Sequence, residues 1–227
     1  MSEWQKFADR ESLDEQLAQS IAAQLRRDIE AAGSASLAVS GGGTPANMFL
    51  LLSRSDLDWS KVWITLVDER WVAVQDSDSN ERLVRANLLR GPAAAAHWVS
   101  MKTTAADASA GLAEVEQRMK AMVQPFSVVV LGMGGDGHTA SWFPQADNLQ
   151  TLLDTGGTTR LAATDPVTAP HQRITLTLPA VLHSRAIAVH ITGEEKRAVI
   201  ESAEREAYPI AAILQQTVTP VTIWWAP

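Results

Sequence analysis

The chain has 227 residues, 46% hydrophobic and 20% charged, which is enough for one large α/β domain with a sizeable core and excludes a disordered or coiled-coil protein. Its net charge of −7 argues against an extended nucleic-acid surface, which needs basic clusters, but leaves room for a local anion site built from a few basic groups. Cysteine is absent, so disulfides, thiolate metal sites and a cysteine nucleophile are excluded. The opening MSEWQKFADRES is too polar for a signal peptide, and no apolar run approaches the ~18–20 residues of a membrane span, so a soluble, cytoplasmic protein is expected.

Ser12 and Glu15 have the spacing of a capping box. Leu13, Leu17, Ile21, Leu25 and Ile29 then recur every four residues, the mark of an amphipathic helix ending near Gly33. Leu37–Val39 reads as a short strand. Ser40-Gly41-Gly42-Gly43-Thr44-Pro45 follows, with Thr44 placed to cap a helix over Ala46–Leu52 and Pro45 at its first position. Strand, triple glycine and helix start in succession make a candidate anion site of exposed backbone N–H groups, although the sequence also fits a plain glycine-rich turn. It is not a Walker A loop, because the Lys-Ser/Thr ending is missing.

Val62–Val67 is the next buried strand, and Asp68-Glu69-Arg70-Trp71 stands at its carboxyl end. A charge run usually forms an exposed turn, but strand ends of this kind also form ligand crevices in open α/β sheets. Asp76–Asn80 is a polar loop, and a helix is expected from Ser79 to Leu89. His97–Ser100 is a candidate strand. Leu112, Val115, Met119 and Met122 mark the core face of a helix within Ala105–Met122.

Val128–Pro144, VVVLGMGGDGHTASWFP, carries the strongest signal. An apolar run rich in β-branched residues reads as a buried strand, and it runs into a loop where Asp136 and His138 stand between glycines. Glycine lets the backbone come close to a ligand and adopt positive φ, so the loop would present an imidazole and a carboxylate at a strand mouth. Gly132, Gly134 and Gly137 also satisfy the dinucleotide fingerprint. The context opposes that reading: Pro144 leaves room for only about two helical turns, and Asp136 would sit where a diphosphate should lie. Further on, Gln145–Pro170 is weakly patterned, with one short strand expected at Arg160–Ala163. Arg173–Leu178 and Ala186–Ile191 read as strands. Thr192–Lys196 begins a helix reaching about Ala203, Pro209–Gln215 looks helical, and Val221–Trp225 closes as a strand. Strands alternate with helices and no linker divides the chain, so residues 1–227 are expected to form one α/β domain around a mainly parallel sheet. The five histidines show no HxxxH or HExxH spacing, which argues against a metal site.

Six blocks in this order resemble the 6-phosphogluconolactonases related to glucosamine-6-phosphate deaminase/isomerases. They are SGGGTP (Ser40–Pro45), DERW (Asp68–Trp71), DSDSN (Asp76–Asn80), GMGGDGHTASWFP (Gly132–Pro144), RITLT (Arg173–Thr177) and TGEEK (Thr192–Lys196). The GxGxDGHTAS-type block is the most specific. Two positions depart from the pattern: Gly43 stands where a serine is common, and Ala73 where a proline is usual.

The resemblance implies a three-layer Rossmann-like fold and hydrolysis of 6-phospho-D-glucono-1,5-lactone in the oxidative pentose phosphate pathway. It implies that Ser40 and the loop Gly41, Gly42, Gly43 and Thr44 hold the 6-phosphate, with Arg173 and Lys196 as cationic partners. His138 would be the general base with Asp136 beside it, Asp68 would join the catalytic set, and Arg70 would face phosphate or developing charge. The chemistry agrees: a δ-lactone is an activated ester that needs a positioned water, a base working near neutral pH and oxyanion stabilisation, but no cofactor or metal. GxSxG is absent, so a serine-nucleophile esterase is not supported. In the deaminase/isomerase branch a catalytic glutamate precedes the proline, whereas here that position is Phe143, which cannot relay protons. A non-enzymatic sugar-phosphate sensor would keep the phosphate loop without needing His138. The expected partner is a small phosphorylated sugar lactone, with neither nucleic acid nor membrane.

Overall fold

The structure, a computed structural model, describes residues 2–227. β1 (Glu3–Lys6) precedes a long helix, α1 (Arg10–Ala32). Asp9 caps α1 from an extended conformation, its carboxylate accepting the Ser12 amide at 2.8 Å. The cap therefore lies upstream of the expected Ser12–Glu15 box, because an extended Asp9 lets the helix start sooner. Gly33 ends α1 in the left-handed region at φ 80°, where glycine carries no Cβ penalty.

β2 (Ala35–Val39), α2 (Ala46–Leu52), β3 (Val62–Leu66), β4 (Asp68–Arg70), α3 (Asn80–Asn87), β5 (His97–Trp98) and α4 (Ala108–Met119) follow. The chain then forms β6 (Val128–Leu131), α5 (Leu149–Leu152), β7 (Leu161–Thr164), β8 (Arg173–Leu176), α6 (Leu178–Leu182), β9 (Ile187–Thr192), α7 (Glu194–Ser202), α8 (Ala211–Gln215) and β10 (Val221–Ala226). The strand expected to run to Leu178 stops at Leu176, because Leu178-Pro179 opens α6 with proline in its first turn. The short helices α5 and α6 and the edge strand β1 carry too few residues for periodicity to mark them.

Seven strands form one parallel sheet in the order β1-β10-β9-β6-β2-β3-β5, and helices lie on both of its faces. β2 and β6 are buried along their whole length, which is why they read as unbroken apolar runs and not as alternating strands. α1 packs its Leu13–Leu17–Ile21–Leu25 stripe over the sheet beside α2.

The charged run after the second apolar strand, open in the sequence between an exposed turn and a strand-end crevice, does border a cavity, but as a strand. Asp68–Arg70 is not a surface turn but the strand β4, paired antiparallel with β8 in a second sheet of order β4-β8-β7. Asp68 and Glu69 are buried there, which is affordable only because donors surround both carboxylates. A seam ties this small sheet to the large one: the Leu176 amide donates to the Val67 carbonyl at 2.8 Å, and the Trp142 indole donates to the Leu176 carbonyl at 2.8 Å. The carboxyl ends of β2, β3, β6 and β9 open beneath this seam.

Candidate active site

A cavity of about 540 Å³ occupies that crevice, and every residue singled out in the sequence as a site candidate except Asp136 lines it. Asp136 stands just behind, hydrogen-bonded to one that does.

The loop after β6 is wound so that its acid and imidazole meet. Asp136 Oδ1 accepts the His138 amide at 3.2 Å and lies 2.5 Å from His138 Nδ1. The aspartate thereby selects the tautomer with hydrogen on Nδ1, which leaves Nε2 as the ring's basic nitrogen. Gly134 makes this possible, because a Cβ there would collide with both the His138 ring and Asp136. Gly137 takes φ +74° against the Tyr208 ring, a conformation and a space that no side chain shares. Phe143 stacks on the imidazole, with centroids 4.2 Å apart. Burial pushes the Asp136 carboxyl up, but the His138 charge and hydrogen bonds outweigh it, and the net shift is down.

Two arginines reach the cavity from the small sheet. Arg173 is buried, its guanidinium 5.7 Å from the Phe143 ring centre, and it donates to the Pro170 carbonyl at 3.0 Å. Burial lowers its pKa, the Asp68 charge opposes that and Arg70 adds to it; an arginine stays protonated regardless. Arg70 donates to the Asp78 carbonyl at 2.5 Å. In both residues Nε is buried without a partner among the described residues. Lys196 comes from α7 on the opposite side, half-buried beside Gly135. Desolvation lowers its pKa, against the pull of Asp136 and Glu195.

The glycine loop closes the floor. A Cβ at Gly41 would overlap the Asn80 amide, and Gly42 sits at φ +91°. Thr44 does not cap α2: the cap position is Pro45, in helical conformation and without a side-chain hydrogen bond. α2 has only seven residues, so an anion here would rely on loop amides and on the surrounding cations more than on a helix dipole. Ser40 lines the cavity, but its hydroxyl is engaged, donating to the Val130 carbonyl at 3.1 Å and accepting the Gly132 amide at 3.0 Å. It fastens the glycine loop to the histidine loop. Asp68 is likewise engaged, its carboxylate accepting from Ser141 Oγ at 2.6 Å and its carbonyl from the Asn80 amide group at 2.9 Å. It fastens the tail of the histidine loop to β4.

Other residues around the site were not among the predicted site residues, although Glu69 and Asp78 fall within the DERW and DSDSN blocks. Glu69 accepts from the Arg70, Asn80 and Glu81 amides and from Ser79 Oγ, at 2.7–3.0 Å. Burial pushes its carboxyl up while these four donors favour the ionised form. His171 reaches Asp78 at 3.0 Å across the cavity mouth. His190, on β9, is buried within 3.1 Å of the fully buried Asp14 of α1. An aspartate inside the apolar stripe of α1 was the available clue to that pair. Among the described residues no cluster of three or more His, Cys, Asp or Glu is arranged to hold a metal, and no helix is long and apolar enough to cross a membrane.

Several relatives and solved structures similar to this chain are named 6-phosphogluconolactonases. The 6-phosphogluconolactonase of Mesorhizobium japonicum is 42% identical over 99% of this chain and 95% of its own length. A crystal structure of a 6-phosphogluconolactonase from Shewanella baltica superposes with a TM-score of 0.97 at 44% identity, covering 100% of this chain and 98% of that one. A putative 6-phosphogluconolactonase from Neisseria gonorrhoeae gives 0.92 at 40% identity, covering 100% of both chains. The model of one family, described as glucosamine-6-phosphate isomerases/6-phosphogluconolactonase, matches residues 8–224. By sequence and fold, this chain belongs to the glucosamine-6-phosphate isomerase/6-phosphogluconolactonase family.

Proposed function

We propose that this protein hydrolyses 6-phospho-D-glucono-1,5-lactone to 6-phospho-D-gluconate, with His138 as the general base. The observation that carries the reading is the Asp136–His138 pair, 2.5 Å apart, beside a cavity that also holds Arg70, Arg173, Lys196 and the glycine loop. The 6-phosphate lies against Gly41–Thr44 with Arg173 and Lys196 as its cationic partners, so binding energy is spent away from the reacting carbonyl. His138 Nε2 takes a proton from water as that water attacks C1, and Asp136 steadies the imidazolium that forms. Arg70 faces the negative charge that develops as the tetrahedral oxyanion forms. When that intermediate collapses, the C1–O5 bond breaks, and the imidazolium returns its proton to the departing ring oxygen. Asp68 and Ser40 act by holding the loops. Phe143, packed on the imidazole, supplies no proton, and this favours lactone hydrolysis over the deaminase/isomerase chemistry of the same family.

The test is a side-by-side assay of one purified preparation. Lactone hydrolysis, corrected for the spontaneous reaction, is expected at enzymatic rates, with ammonia release from glucosamine-6-phosphate absent. Ammonia release at a comparable rate would overturn the reading.

A further inference from the structure

The glycine loop is held from behind by Arg10, Asp14 and Asn47, which do not line the cavity, and by His190, which does. Arg10, the first residue of α1, donates through Nη2 to the carbonyls of Gly43 at 3.1 Å and of Thr44 at 2.7 Å. A positive side chain in the first turn of a helix opposes the macrodipole, so helix stability does not account for it. Four residues on, the fully buried Asp14 lies 3.9 Å from Arg10 Nε. Its Oδ2 accepts from the Asn47 side-chain amide at 2.9 Å, just beyond the loop, and its Oδ1 lies 3.1 Å from His190 Nε2. That last approach is an ion-pair distance without hydrogen-bond alignment, and His190 Nδ1 has no partner among the described residues.

We infer that Arg10, anchored by Asp14, is a positioning residue for anion recognition: it turns the loop so that the Thr44 amide is presented to the substrate phosphate. The geometry is that of the trans peptide, whose N–H points opposite its C=O. Arg10 pulls the Gly43 carbonyl away from the cavity, and the Thr44 N–H on the same peptide is thereby driven toward it. The second bond, to the Thr44 carbonyl, cannot act in this way because the next residue is proline and has no N–H; it pins the loop. Asp14 draws Arg10, Asn47 and His190 to one buried point, so that α1, α2 and β9 hold the loop in one orientation before substrate arrives.

This inference rests on the phosphate site proposed above, and the experiment separates the two. Wild type and Arg10→Gln are assayed on 6-phosphogluconolactone and on unphosphorylated gluconolactone, and the binding of inorganic phosphate to each is measured by competition. Arg10 is half exposed, so the variant is expected to fold. Its KM for the phosphorylated lactone should rise about tenfold with kcat little changed, its preference for phosphorylated substrate should fall by the same factor, and phosphate should compete less well. Arg10→Lys, which keeps the charge but has one point donor where two carbonyls were bridged, should recover only part of this. A variant that lowers both substrates in proportion, or leaves the preference intact, overturns the positioning role. Wild type without any preference overturns the phosphate site itself. Should Asp14→Asn fold, it should shift the preference in the same direction as Arg10→Gln, and an unchanged preference would remove Asp14 from the unit.

Discussion

Arg70 and Arg173 stand directly opposite one another on the β4–β8 ladder. Like charges so placed destabilise a sheet, and the arrangement becomes favourable when an anion lies between or beside them. Arg173→Ala is therefore expected to act mainly on binding. KM for the phosphorylated lactone should rise by roughly tenfold or more, as for a lost charge-assisted hydrogen bond, while kcat changes far less. The stabilisation of the protein by bound 6-phosphogluconate, read as a shift in Tm, should shrink in parallel. An unaltered KM and an unaltered ligand-induced shift would assign Arg173 to the sheet alone.

His138→Asn keeps approximate size and some hydrogen bonding but has no basic nitrogen. The expected loss is roughly 10²–10⁴ in kcat, the usual contribution of a general base. Affinity for 6-phosphogluconate should hardly change, because the proposed phosphate contacts lie elsewhere. Stopped-flow assays with the spontaneous rate subtracted give the answer. A folded variant with near wild-type kcat would hand water activation to another group.

Asp136 links the site to acid stability. Its folded pKa lies below the ordinary 3.8, so the pair contributes stability that is fully present above the unfolded value and is lost as pH falls through the folded one. The stability gap between wild type and Asp136→Asn should hold from neutral pH to about pH 4 and close below it. Urea unfolding across that range measures the gap. A gap of constant size at every pH would mean that packing, not charge, joins the two residues.

Glu69 predicts a structural outcome. Gln at this position would turn an NH₂ group toward donors that now share a carboxylate, leaving at least one amide of the α3 N-terminus unpaired. Glu69→Gln should cost about 1–3 kcal/mol in urea unfolding. Because Arg70 is held by the adjacent Asp78 carbonyl, KM should rise as well. A neutral substitution would show that the donors find water instead.

The parallel sheet was legible in the sequence because β2, β3, β6 and β9 are buried apolar runs, and a run of Val128–Leu131 type announces itself. The loops at their carboxyl ends were legible as chemistry because Gly134 and Gly137 are required by a neighbouring ring or by positive φ, not by flexibility alone. Three things were not legible. β1 has four residues, and its place beside β10 is fixed by a partner some 200 residues away, a long-range pairing that no local pattern encodes. β4 was hidden because buried carboxylates are recognisable only once their donors, remote in sequence or in the next loop, are in place. The Asp14–His190 and Asp78–His171 pairs join residues of separate elements, so spacing rules cannot register them. The mis-set caps at Ser12 and Thr44 have a simpler cause: each lay beside another residue able to start the helix.

The proposed base and the two arginines belong to different sheets. His138 hangs from the large parallel sheet, Arg70 and Arg173 from the small antiparallel one. The seam through Val67, Leu176, Trp142 and the Ser141–Asp68 contact, with Phe143 packed between His138 and Arg173, helps set how far apart they stand. On the proposed site this spacing would act as a gauge for the length of the substrate, set largely by packing between the two sheets. Small changes of volume along that seam should retune which phosphorylated lactone fits while every contacting residue stays the same.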